Sequence, residues 1–121
     1  MNISISDLLK SAESTGGWTF NVTDGSVPDH GYAVGGDPMV PEHIIPSWRS
    51  MFGPVTHQMI RDHLDVIAEA GATHTGGWDS DGMLYLDSPT IVESRSQAVA
   101  LGRERGEQAI YCLHTGETIT L

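Results

Sequence analysis

The chain has 121 residues, of which 39% are hydrophobic and 18% charged, and 16 acids against 6 bases give it a net charge of −10. That length suits a single domain over residues 1–121, able to bury about two-thirds of the surface its unfolded chain exposes. An acidic chain with no run of Lys or Arg repels phosphate, which excludes direct nucleic-acid binding, and no apolar run reaches the ~20 residues that span a bilayer, so no membrane association is expected.

In chain order, Ser4 or Ser6 can cap a first helix running to about Glu13, stopped by Gly16-Gly17. Trp18 to Val22 alternates apolar and polar residues and reads as a half-buried strand. Asp24-Gly25 is a hairpin-type turn signal, and a second strand, Gly31 to Val34, follows. The segment from Gly35 to Gly53 holds Pro38, Pro41 and Pro46, which predicts irregular backbone with one short turn over residues 46–52.

Pro54 can open the next helix, which the spacing predicts to run to about Ala70, with Gly71 as its stop. Val55, Met59, Ile60, Leu64, Val66, Ile67 and Ala70 fall on one half of that helical wheel. Thr73 to Trp78 and Met83 to Asp87 read as strands around Asp79-Ser80-Asp81-Gly82, and Thr90 to Glu93 as a further short strand. Ser94 or Ser96 caps a last helix through about Arg105, ended by Gly106. Gln108 to Leu113 and Glu117 to Leu121 form the closing strand pair around Thr115-Gly116. The fold class expected is α+β: an antiparallel sheet of short hairpins packed against two or three helices, with a Pro-rich irregular loop at about 37–52.

The tetrapeptide Thr-Gly-Gly-Trp occurs twice, at residues 15–18 and 75–78. Each copy follows a helical pattern and precedes an Asp-Gly turn. An old duplication and convergence are both open, and convergence, with Gly-Gly ending a helix and Trp starting a core strand, is favoured.

No set of residues carries catalytic chemistry. The six histidines lack the i,i+4 or i,i+2 spacings of ligand sets, so no metal site and no cofactor is expected. His63 falls in the apolar arc of its helix and reads as a hydrogen-bonded core histidine. The stretch starting at Asp79 fails as a calcium loop, because Gly82 comes at position 4 rather than 6. Gly31-Tyr32-Ala33-Val34-Gly35-Gly36 lacks dinucleotide spacing and is followed by prolines rather than a helix. Cys112, the single cysteine, lies in an apolar run and reads as a small buried hydrophobe rather than a nucleophile paired with His114. One cysteine forms no internal disulfide, and the N-terminus lacks the basic start and long apolar stretch of a signal peptide, so the cytoplasm is the expected compartment.

The loop at 37–52 is stiffened by proline and rich in large apolar residues. Met39, His43, Ile44, Ile45, Trp48, Arg49 and Phe52 are the candidate partner-binding residues, because Trp and Arg are favoured at hot spots and a stiff loop loses little entropy on binding. Ile44, Ile45, Trp48 and Phe52 covering one end of the sheet is the competing expectation.

The order Gly76-Gly77-Trp78, Asp81-Gly82, Tyr85-Leu86-Asp87, Ser96, Leu101-Gly102-Arg103, Gly106-Glu107-Gln108-Ala109-Ile110-Tyr111 and Thr115-Gly116-Glu117, together with Gly31-Tyr32-Ala33-Val34, resembles small uncharacterised proteins of actinobacteria and their phages, and a module of phage polyvalent proteins. The resemblance covers residues 31–36 and 73–121. It implies a phage or phage-derived accessory protein in a bacterial cytoplasm, and it carries no catalytic residue with it.

These readings favour a non-enzymatic accessory protein that binds and modulates a host protein through the 37–52 loop. Two alternatives belong to other classes. One is a small His-containing enzyme or ligand- or metal-binding protein in which His43, His63 and His74 converge. The other is an acidic mimic of DNA that occupies a nucleic-acid-binding protein. A homo-oligomer stays open.

Overall fold

The structure is a computed structural model that describes residues 4–46 and 54–121. Within them the elements run α1 (Ile5–Thr15), β1 (Gly17–Asn21), β2 (Tyr32–Val34), β3 (His43–Pro46), α2 (Pro54–Ala70), β4 (His74–Ser80), β5 (Met83–Asp87), β6 (Thr90–Val92), α3 (Arg95–Glu104), β7 (Ala109–Cys112) and β8 (Thr118–Thr120). The α+β class expected from sequence is what the chain adopts, with its strands divided between two antiparallel four-stranded sheets.

Local chemistry fixes the helix ends. Ser4, in extended conformation, accepts a hydrogen bond from the Asp7 amide (3.1 Å), and Gly16 ends α1 at a φ of 85°, donating its N–H to Ala12. Ser94 caps α3 in the same way through Gln97. α2 begins at Pro54 and ends at Ala70, as its spacing predicts, and Gly71 follows at a φ of 71°. Ile60, Leu64 and Ile67 are buried on its inner face, whereas Val66 is 40% exposed. Val66 lies about 100° round the helix from Ile67, at the edge of the arc assigned to it, and turns outward.

The first sheet has the order β1-β4-β5-β3, and the second β6-β2-β7-β8. Asp24-Gly25 therefore does not close a hairpin between β1 and β2. β1 pairs with β4, far along the chain, and β2 lies in the other sheet between β6 and β7. β4 and β5 do form a hairpin, through Asp81 and Gly82 at φ values of 53° and 78°, the two left-handed positions of a tight turn that follows strand twist.

The stretch expected to be irregular contains a strand, β3, at the edge of the first sheet beside β5. Pro46 sits at its end, where a missing N–H costs little on an edge strand. Ile45 is 1% exposed and belongs to the core, as does Val40. The short turn expected at 46–52 falls, beyond Pro46, outside the described residues.

Each sheet covers its own core. Leu8, Leu9 and Ala12 of α1 and Ile60, Leu64 and Ile67 of α2 pack on the first sheet against Trp18, Ile45, Leu84 and Leu86. Ala98 of α3 packs on the second sheet with Val34, Ile110, Cys112 and Ile119. Gly102 lets α3 approach closely, since a β-carbon there would lie 2.6 Å from Leu121 and 3.0 Å from Ile110.

The two Thr-Gly-Gly-Trp copies meet in the structure. Gly17 pairs with Trp78 and Trp18 with Gly77 across the β1–β4 ladder. Directly paired residues share a face and successive residues alternate, so the two tryptophans point to opposite sides. Trp18 lies over Gly77 in the core at 6% exposure, and a β-carbon on Gly77 would fall 2.5 Å from its ring. Trp78, expected to start a core strand as Trp18 does, is instead 56% exposed.

Candidate functional site on the outer face of the first sheet

Among the described residues, α1 and α2 pack on one face of the first sheet, and no described helix packs on the other. The register places Gly17, Trp78, Tyr85 and Ile44 in one row across β1, β4, β5 and β3 on that outer face. Trp78 and Ile44 are among the most exposed large apolar residues described, and Tyr85 is half-buried. Met83 and Pro46 form the next row toward the hairpin turn, and Asp87 stands on the far side, opposite Gly76. The described basic residues all lie elsewhere: Lys10 on α1, Arg61 on α2, Arg95 and Arg103 on α3, and Arg105 as its cap.

The partner-binding candidates separate. Ile44 joins the aromatic row. Met39 is 67% exposed, held by its amide donating to Asp37 Oδ1 (2.9 Å). His43 is exposed at the edge. Ile45 points the opposite way from Ile44, into the core, and is closed to a partner. Trp48, Arg49 and Phe52 lie outside the described residues. Sequence reasoning missed Trp78 and Tyr85 as surface residues. The alternation in Met83-Leu84-Tyr85-Leu86-Asp87 carried the signal, since Leu84 and Leu86 are fully buried and the three residues around them face outward.

Beside this row the two sheets meet at a seam built from small residues and carboxyl groups. Asp87, partly buried at the end of β5, fits because neither Gly76 of β4 nor Gly35 after β2 carries a β-carbon. Such an atom on Gly35 would lie 2.5 Å from both Asp87 Oδ2 and Glu107 Oε1, and one on Gly76 would collide with Asp87 Oδ1. Burial, followed by the neighbouring Glu107 and Glu42, pushes the Asp87 carboxyl up to about 6. Glu107 is raised too, first by burial and then by Glu42, with Arg105 opposing. Arg105 donates from one guanidinium nitrogen to the carbonyls of Val34 and Gly35, each at 3.2 Å.

Of the three histidines considered together, His43 and His63 interact electrostatically, and His74 lies on the opposite face of the first sheet from His63. His63, 3% exposed, takes a core position as expected, with Nε2 2.9 Å from the Thr75 hydroxyl. The Trp18 indole N–H donates to the same oxygen (3.1 Å). The Thr75 hydroxyl thus serves both the Trp18 indole and the His63 ring. Burial first, with His43 adding to it, lowers His63 to about 4. His74, the residue before Thr75, takes the other face of β4, with Nδ1 2.7 Å from the Thr73 hydroxyl, so the sheet separates it from His63. It lines a cleft of about 230 Å³ with a mixed wall, polar at Asp37, Thr73, Ser88 and Thr90 and apolar at Ala72, Pro89 and Ile91. Cys112 is buried in the second core, while His114 lies past the end of β7 and is exposed, so the two do not share a strand face.

Among the described residues no group of three or more His, Cys, Asp or Glu side chains is placed to hold a metal, and no helix is long and apolar enough to cross a membrane. No family model matches the chain, no curated protein matches it, and no solved structure does.

Proposed function

We propose that this chain is a non-enzymatic binding protein, a phage or phage-derived accessory factor that modulates a host protein in the bacterial cytoplasm, and that it docks through the outer face of the first sheet. The observation that carries the reading is the row Trp78–Tyr85–Ile44, with Trp78 at 56% exposure while its sequence twin Trp18 is in the core at 6%. A large aromatic side chain left in water loses the favourable burial open to it, and contiguous exposed apolar surface of this kind marks interaction sites. Met83 and Pro46 extend the patch, and neighbouring strands of one sheet hold it rigid, which lowers the ordering cost of binding. The phage setting rests on the resemblance over residues 31–36 and 73–121.

Affinity capture from the native host with the wild-type chain and with a Trp78→Ser/Ile44→Ser variant of equal melting temperature tests the docking face. A host protein retained by the wild type and lost with the variant is the expected result. Equal retention by both would place docking elsewhere.

A further inference from the structure

We infer that the partner surface taken by this face is cationic: an arginine-bearing segment of another protein whose guanidinium groups stack on Trp78 and Tyr85 and extend toward the carboxyl groups of the seam. This assignment rests on the docking reading above and names the chemistry of the occupant. Trp and Tyr rings carry negative faces that attract cations, Trp most strongly, and Arg stacks on them better than Lys because its charge is planar and weakly hydrated.

The geometry lines these groups up. Trp78 and Tyr85 are directly paired, so their β-carbons are about 4.5–5.5 Å apart. Asp87 is two residues beyond Tyr85 on the same strand and face, about 7 Å along it. An arginine lying over the aromatic pair therefore ends beside Asp87. The described residues of this face include no Lys or Arg, Asp81 stands exposed at the hairpin turn, and the whole chain carries −10, so a basic segment is attracted both locally and at long range. An acidic surface, a phosphate or an anionic membrane meets the opposite field.

Occupancy is also coupled to protonation. Asp87 faces Glu107 and Glu42, and burial together with both carboxylates opposes its ionisation. Among the described residues the cation at the seam is Arg105 beside Glu107, and it already donates to two backbone carbonyls. An arriving guanidinium relieves the repulsion, so binding strengthens as Asp87 ionises.

The test titrates the full chain with short synthetic peptides in which Ser alternates with Arg, Lys, Glu or Leu. The readout is the heat of binding by calorimetry, which serves every variant, with the Trp78 indole signal, assigned with Trp78→Phe, locating the site in the wild type. The Arg peptide is expected to bind tightest, Lys more weakly, and Glu not at all. Trp78→Ala should cost about tenfold in affinity with an unchanged melting temperature. Wild-type affinity for the Arg peptide should rise as pH passes through about 6, and Asp87→Asn should flatten that rise. Equal binding of Glu and Arg peptides, or Arg binding indifferent to Trp78→Ala, overturns the assignment. A Leu peptide that binds through Trp78 more tightly than the Arg peptide overturns it while leaving the docking face in place. Absence of Trp78-dependent binding to any peptide overturns it as well, and the capture experiment then decides docking independently.

Discussion

Replacing Asp87 with Asn should make the protein more stable at neutral pH and should remove a pH dependence that runs against the usual carboxylate trend. The Asp87 carboxyl is raised from 3.8 to about 6 by burial and by Glu107 and Glu42. A raised acid holds its proton more tightly in the folded chain than in the unfolded one. Its contribution to stability is therefore complete below about pH 4 and is lost as pH climbs through about 6. At 1.36 kcal/mol per unit the full swing is at most roughly 3 kcal/mol. Asparagine keeps the shape that fits between Gly35 and Gly76 and cannot ionise. Urea unfolding of both proteins from about pH 4 to about pH 8 gives the comparison, because the titrations of all other groups largely cancel in the difference. The variant should gain on the wild type by roughly 2–3 kcal/mol across that range. Parallel stability curves would refute the placement of this carboxyl at a crowded, partly buried seam.

His63 should remain neutral at pH 5.5, because its ring is lowered to about 4, whereas His30, raised by Asp29 and Glu93, should already be charged; imidazole chemical shifts across a pH titration distinguish the two. The same lowering means that His63 contributes stability above about pH 6.5 that is lost as pH falls toward about 4, so a His63→Phe variant should show a shallower loss over that window by urea unfolding. Thr75→Val removes the hydroxyl shared by the Trp18 indole and His63, leaving both buried groups without it, and should cost about 1–3 kcal/mol in chemical denaturation. Gly77→Ala drives a methyl into the Trp18 ring and should cost a similar ~1–3 kcal/mol by overpacking, whereas Gly71→Ala meets no neighbouring atom and should cost only what its left-handed backbone imposes; thermal melts compare the pair.

Much of this fold was legible because it is written locally. Ser4, Gly16, Ser94, Gly71 and Gly106 mark helix ends by hydrogen bonding and backbone geometry that their own types dictate. The apolar arc of α2 needs no knowledge of its partner. The strand partners were illegible because β1 finds β4 across two strands and a helix, and no local signal separates that from a hairpin with β2. β3 was hidden by its prolines, which argue against strand everywhere except at an edge, and edge position is a property of the assembled sheet. The site was half visible. Ile44 and Met39 were singled out by residue type, but Trp78 was placed inward by analogy with Trp18, and the seat of Asp87 depends on two glycines far apart in the chain, Gly76 in β4 and Gly35 just after β2, coming together.

The reciprocal Gly–Trp contacts bear on how the chain assembles. β1 and β4 share no short turn to set their alignment, so a slide along the ladder has to be opposed by side chains. With Trp18 over Gly77 and Trp78 over Gly17, a shift of two residues would bring Trp18 against Thr75 or Asp79, where a β-carbon occupies the space the ring needs. A shift of one would turn the buried ring to water. The repeated tetrapeptide thus works as a two-toothed latch for a long-range strand pair, and the tooth that faces solvent is the same tryptophan that the docking face presents.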